Sequence, residues 1–177
     1  MNREDMIRAI TFIEILAVLT IIVISAYFLS PIFLRIQSTI LLHQEIEHIR
    51  SFIYYIQTKA KYRKQSYSVT IAQNKQNHQY CIIAVAKKSD KQTACDCLFL
   101  PSCHIQSDYH LYQSQNSAIV LKSQGLYPEI FFNIDGNAAR LGEKCLGLSL
   151  NETQEVIQFD EAGDINVVQK NKRTKCR

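Results

Sequence analysis

A nearly unbroken apolar run fills residues 10–34 and carries one carboxylate, Glu14, near its start. It is interrupted by Pro31 and ended by Arg35. About 20 apolar residues suffice to cross a bilayer, so the run is long enough to span one. A charge inside such a segment is costly and marks a functional role. Ahead of it lies a short polar leader, residues 1–9, with Arg3, Glu4, Asp5 and Arg8. Arg3 and Arg8 place the leader in the cytoplasm by the positive-inside tendency, so the rest of the chain faces outward. A secretory signal peptide would be cut after its apolar core, and Ile24-Ser25-Ala26 is a poor small-x-small site. A plain signal anchor accounts for the length but leaves Glu14 as an uncompensated cost.

Charge is informative once it is located. The tail, residues 169–177, holds Lys170, Lys172, Arg173, Lys175 and Arg177 and no acid. Those five of the 20 basic residues leave 15 against 16 acids, so the formal +4 lies in the tail. A nearly neutral body argues against a broadly basic nucleic-acid-binding domain. The tail by itself can contact phosphates without reading sequence, which makes DNA a candidate partner, with simple solubilisation as the alternative.

Six cysteines, Cys81, Cys95, Cys97, Cys103, Cys145 and Cys176, all follow the anchor. An even count on the exported side reads as disulfides formed in an oxidising periplasm. Cysteines two apart in an extended strand point to opposite faces, so Cys95 and Cys97 are not expected to pair. Cys95, Cys97 and Cys103 are expected in separate bridges. Structural zinc uses pairs spaced two to four residues apart, which Cys95-x-Cys97 and Cys103-His104 do not supply, and no metal or cofactor is expected. His43 and His48 stand at i and i+5, too far apart around a helix to clamp a metal, and His78, His104 and His110 read as loop residues. The chain has no Gly-rich phosphate loop, no Gly-x-Ser-x-Gly and no His-Glu-x-x-His, so no catalytic residue is assigned and no enzymatic activity is expected.

Beyond Arg35 the helix is expected to continue. Leu42, Ile46, Ile49, Ile53, Ile56 and Ala60 recur at alternating spacings of four and three, one stripe of an α-helix. Gln44, Glu47, Arg50, Ser51, Tyr54, Gln57 and Lys61 fall elsewhere around it. From Ile10 to Tyr62 such a helix is about 80 Å long. Lys59, Lys61, Arg63 and Lys64 suit its C-terminal end through the macrodipole. Strand-like runs follow at 67–72, 80–86, 97–100, 118–121, 130–134, 146–150, 156–159 and 164–168, with 74–77 as a hairpin loop. One long helix before short, turn-separated strands gives an α+β class. A free coiled-coil stalk is the alternative for the helix, but its pattern stops after barely three heptads.

The N-terminal pattern resembles the type IV prepilin signal: a short leader, Ala9, then Ile10-Thr11-Phe12-Ile13-Glu14 opening the apolar run. Pro31 stands at the twenty-second position counted from Ile10, where family members often carry proline. The resemblance implies a type IV pilin-like fold, with a membrane-spanning first half of the helix and an antiparallel β-sheet head. It implies cleavage by prepilin peptidase between Ala9 and Ile10, methylation of the new amino group on Ile10, and assembly with other pilins on an inner-membrane platform. Glu14 would offset the amino terminus of a neighbouring subunit, and Pro31 would kink the helix or let it unwind. The implied organisation is leader 1–9, filament-core helix 10–34, amphipathic continuation 35–64, periplasmic head 65–168 and tail 169–177. Ile130-Phe-Phe-Asn-Ile-Asp135-Gly136 and the segment from Val156 to Ile165 resemble the FimT/GspH-like group of minor pilins. Asp164 stands where that group usually has Arg. The implied role is a minor pilin of a type IV pilus or competence filament. A type II secretion pseudopilin, or an anchored binding or adhesion domain that never polymerises, are the alternatives.

Overall fold

Every member of the isoleucine stripe, Leu42, Ile46, Ile49, Ile53, Ile56 and Ala60, is at most 1% exposed. They lie on α1 (Arg3–Arg63), which in the computed structural model is followed by eight strands. The structure describes residues 3–74, 76–88, 93–103, 105, 107–123 and 125–168, with α1 side chains described from Phe12 onward. The chain divides into two compact units, Met1–Thr39 and Ile40–Arg177.

In the second unit the helix packs on two antiparallel sheets, an α+β arrangement. The first sheet has the order β3-β2-β1-β5, formed by β1 (Tyr67–Gln73), β2 (Tyr80–Ala86), β3 (Tyr109–Gln113) and β5 (Phe132–Ile134). The second has the order β4-β6-β7-β8, formed by β4 (Val120–Lys122), β6 (Lys144–Leu150), β7 (Thr153–Phe159) and β8 (Ile165–Val167). Both contribute to one core with the helix stripe, through Val69, Ile82 and Ile134 on one side and Leu146, Ile157 and Phe159 on the other. The hairpin of β1 and β2 is paired from Tyr67 with Ala86 to Gln73 with Tyr80.

These two strands are buried on both faces, because each face is covered. Alternate residues meet the core around α1, while Ala72, Cys81, Ile83 and Val85 pack with Cys95 and Cys97 in a second, smaller cluster. Two close turns complete the frame. A Cβ at Gly136 would come within 2.7 Å of the Gln65 backbone, so only glycine lets that turn approach the end of the helix. Gly163 turns β7 into β8 with φ of +97°.

Several expectations are corrected. Residues 97–100 are not a strand; they form a turn leading into a 3-10 helix at Leu100–Ser102, where Pro101 cannot donate to a strand ladder. A strand at β3 takes the edge position instead, and it carries His110, so that histidine is not in a loop. At Pro31, where a kink or local unwinding was expected, α1 continues as helix. A proline removes one N–H from the ladder, and the bonds on either side carry the helix on. Gln57, off the apolar stripe, is also buried, its Nε2 donating to the carbonyls of Ala139 (3.1 Å) and Gly163 (2.9 Å). It fastens the helix to the two turns beside it.

Glu45 on α1 is buried as well, 5% exposed. Its Oε1 accepts hydrogen bonds from the hydroxyls of Tyr80 and Tyr112, the latter at 2.8 Å. Burial first, and the neighbouring carboxylate second, push both phenols far above the ordinary tyrosine range. Burial also raises the Tyr67 phenol, whose hydroxyl is enclosed and finds no hydrogen-bond partner among the described residues.

The sign of the linkage follows from those raised values. The three phenols contribute stability that is complete below about pH 10, where unfolded tyrosine titrates. It is lost as pH rises toward the folded values. In an alkaline titration followed by phenolate absorbance, Tyr67, Tyr80 and Tyr112 should stay neutral through the first wave and ionise only as the head unfolds. One single wave covering all nine tyrosines in the folded protein would contradict this.

Candidate functional site: the apolar surface of the first helix

Residues 15–34 contain no charged side chain, and at 1.5 Å per residue they extend about 30 Å, the thickness of a bilayer's hydrocarbon core. Their exposure is all-round: Ile13, Ile21, Val23, Phe28 and Phe33 are each more than 60% exposed, and none of the large apolar side chains from Phe12 to Leu34 is buried. A helix apolar on every side is stable in lipid or among other apolar helices. The helix is therefore long and apolar enough to cross a membrane.

Three hydroxyls on α1 bond to the helix's own backbone. Thr20 donates to the carbonyl of Leu16, Ser38 to Leu34 (3.1 Å) and Thr39 to Arg35 (3.0 Å). Such i−4 bonds satisfy these three hydroxyls without water. The surface can then sit in a dry environment, with Glu14 as its one carboxylate.

The structure places the expected residues as follows. Ala9 and Ile10 lie in the first turns of α1, while Glu14 and Pro31 are exposed on it. Cys81 is bonded to Cys97, and Cys95 to Cys103. Cys95 and Cys97 thus fall in different bridges, but Cys95 and Cys103 share one instead of occupying separate ones. The 3-10 turn at Leu100–Ser102 doubles the chain back and brings Cys103 to 5.5 Å from Cys95, Cα to Cα. Cys145 is also disulfide-bonded. Cys176, with Lys170, Lys172, Arg173, Lys175 and Arg177, lies outside the described residues, as does His104.

A charged cluster at the C-terminal end of α1 was not legible in the sequence. Asp108 accepts from Lys59 (2.9 Å) and Arg63 (3.0 Å), and His110 stands 3.7 Å away. The hydrogen bond from Lys59 is the main cause that holds the Asp108 carboxyl below its usual range. Burial, then the Lys59 charge, lowers His110, so its imidazole is neutral and takes the Lys59 ammonium as a donor. Lys59 and Arg63 therefore do more than complement the helix dipole: they tie the helix to the start of β3.

On the opposite side of the first sheet, a groove of about 540 Å³ runs beside edge strand β5, with Ile130, Phe131 and Leu141 among its walls. Its rim carries Lys87, Arg140 and Lys144 against Asp135 and Glu143.

Comparison with known proteins gives one relative of note. The chain is similar to an uncharacterized protein of Haemophilus influenzae (strain ATCC 51907 / DSM 11121 / KW20 / Rd), 24% identical over 161 residues. The alignment covers 90% of this chain and 93% of that protein. No family model matches the chain, and no solved structure matches it.

Proposed function

We propose that this chain is a minor pilin or pseudopilin, processed at its N-terminus and assembled into, or priming, a type IV pilus or competence filament. The observation that carries the reading is the change of character along α1. It is apolar on every side from Phe12 to Leu34, then apolar on one buried stripe from Leu42 onward. The first stretch suits lipid before assembly and packed helices after it; the second anchors a head that would be displayed outside. Hydrolysis of the Ala9–Ile10 peptide bond by prepilin peptidase on the cytoplasmic side would free the Ile10 amino group for methylation. In a dry bundle of helices that cationic terminus needs a counter-charge, and an unpaired charge there is heavily penalised. Glu14 of an adjoining subunit supplies it and so fixes the register between subunits.

Replacing Glu14 with alanine tests this directly. The variant should insert in the membrane normally, while its share in sheared filament fractions, or in pulldowns of the assembly complex, falls at least about tenfold, because one partner of a desolvated ion pair is gone. Incorporation at the wild-type level would remove Glu14 from the assembly mechanism. An anchored domain that never polymerises would show no filament fraction for either form.

A further inference from the structure

The two bridges described above interlace. In chain order they join Cys81 to Cys97 and Cys95 to Cys103, so each bridge straddles one cysteine of the other. A chain exported with its N-terminal end held in the membrane meets an oxidising compartment in the order Cys81, Cys95, Cys97, Cys103. Each bridge formed there passes two electrons and two protons to a thiol-oxidising protein of that compartment. Joining neighbours as they arrive yields Cys81–Cys95 and Cys97–Cys103, which are not the native pairs.

Little in the unfolded chain corrects that order. Each wrong loop is two residues shorter than its native counterpart. Closure entropy changes slowly with length, so chain statistics barely separate the two sets, and they lean toward the wrong one. Nor does a strand ladder align the segment. Among the described residues, the hydrogen bonds of 95–103 run within it or to Ile105, as from the Leu98 N–H to Asp96 Oδ1 (2.9 Å) and from the Cys103 N–H to the Leu100 carbonyl (2.9 Å). Its attachment to β2 is the Cys81–Cys97 bridge with the apolar packing around it. Once both wrong bridges have closed, none of the four cysteines keeps a thiol with which to reopen them.

We propose that the head is a substrate of a periplasmic protein-disulfide isomerase, whose thiolate converts Cys81–Cys95 and Cys97–Cys103 into the native pairs. The conversion balances in three exchanges, each breaking one S–S bond and making one. The isomerase thiolate attacks Cys103 Sγ, forming a mixed disulfide and releasing the Cys97 thiolate. Cys97 attacks Cys81 Sγ, which makes the first native bridge and releases Cys95. Cys95 then attacks Cys103 Sγ, which makes the second and returns the isomerase thiolate, with no net gain or loss of electrons. Cys103 suits the first attack: it is half-buried in the finished head, where Cys81, Cys95 and Cys97 are at most 2% exposed. The same burial ends the sequence, because three of the four native sulfurs are closed to further exchange. The inference rests on the outward-facing head of the reading above.

Disulfide mapping in cells tests it. Full-length protein is recovered from cells with and without the isomerase, the thiol oxidase being intact in both, with free thiols alkylated at lysis. With the isomerase, bridged peptides should report Cys81–Cys97 and Cys95–Cys103. Without it, Cys81–Cys95 and Cys97–Cys103 should accumulate, and the native pairs should fall to about one third or below, the share of random pairing among three connectivities. Replacing Cys95 and Cys103 together with serine removes the interlacing, so the Cys81–Cys97 bridge should then form equally in both cells. Native pairs at the wild-type level without the isomerase, or a double variant as dependent on it as the wild type, would overturn the proposal. Free thiols at all four positions in both cells would sink it together with the outward-facing head. Isomerase-dependent native pairs on a chain that begins at Met1 would support it and sink the pilin reading alone.

Discussion

Ile53→Asp leaves the head of this protein unfolded while the apolar helix still inserts. Ile53 is 1% exposed in the middle of the stripe on which both sheets pack. A carboxylate there would be buried with no designed partner, and an unpaired buried charge is costlier than most domains can bear, since their whole stability is about 5–15 kcal/mol. The milder Ile53→Ala should cost about 2–5 kcal/mol. Urea unfolding of full-length protein in detergent, followed by tyrosine fluorescence, measures both. Tyr62→Ala, at a position 88% exposed one residue before the helix ends, should stay within about 0.5 kcal/mol of wild type. A folded Ile53→Asp head would show that the stripe does not hold the sheets.

The second large effect concerns the bridge between β2 and the segment beyond it. Replacing Cys81 and Cys97 together with serine should lower stability by about 3 kcal/mol, the loop-closure value for a separation of this size. The Cys95–Cys103 pair closes a shorter loop, and its removal should cost less, about 2.5 kcal/mol on the same relation. Separations of 16 and 8 residues set that order. The first double substitution also strips two buried sulfurs from the smaller core, so its effect should exceed the entropic figure. A smaller loss for Cys81 and Cys97 than for Cys95 and Cys103 would overturn the idea that the bridge to β2 anchors this face of the sheet.

How far the sequence could be read depends on the kind of signal each residue gives. The stripe from Leu42 to Ala60 was legible because six apolar side chains repeat a helical period with no competing pattern. Glu45 and Gln57 were not read as buried, since polarity alone sends such residues to the surface. Their positions were informative all the same: Glu45 lies at i+3 from Leu42 and i+4 from Leu41, and Gln57 lies at i+4 from Ile53. Strand β3, Tyr109-His-Leu-Tyr-Gln113, holds one aliphatic residue and sits half-exposed at a sheet edge, so its periodicity is weak. Cys97-Leu-Phe-Leu100 imitated a strand because its apolar run hides a constraint that composition does not carry, two bridges and a proline. The disulfide partners depended on that turn, and no spacing rule supplies it. Asp108 became part of a site only when β3 was brought beside the end of α1.

The central claim is that the polar leader is removed to expose Ile10. Intact-mass analysis of the protein, purified from cells with and without an active prepilin peptidase, measures it. The account predicts a chain that begins at Ile10 with a methylated amino group when the peptidase is present, and at Met1 when it is absent. A chain that begins at Met1 in both would contradict it, and would leave a membrane-anchored head that no processing step releases for assembly.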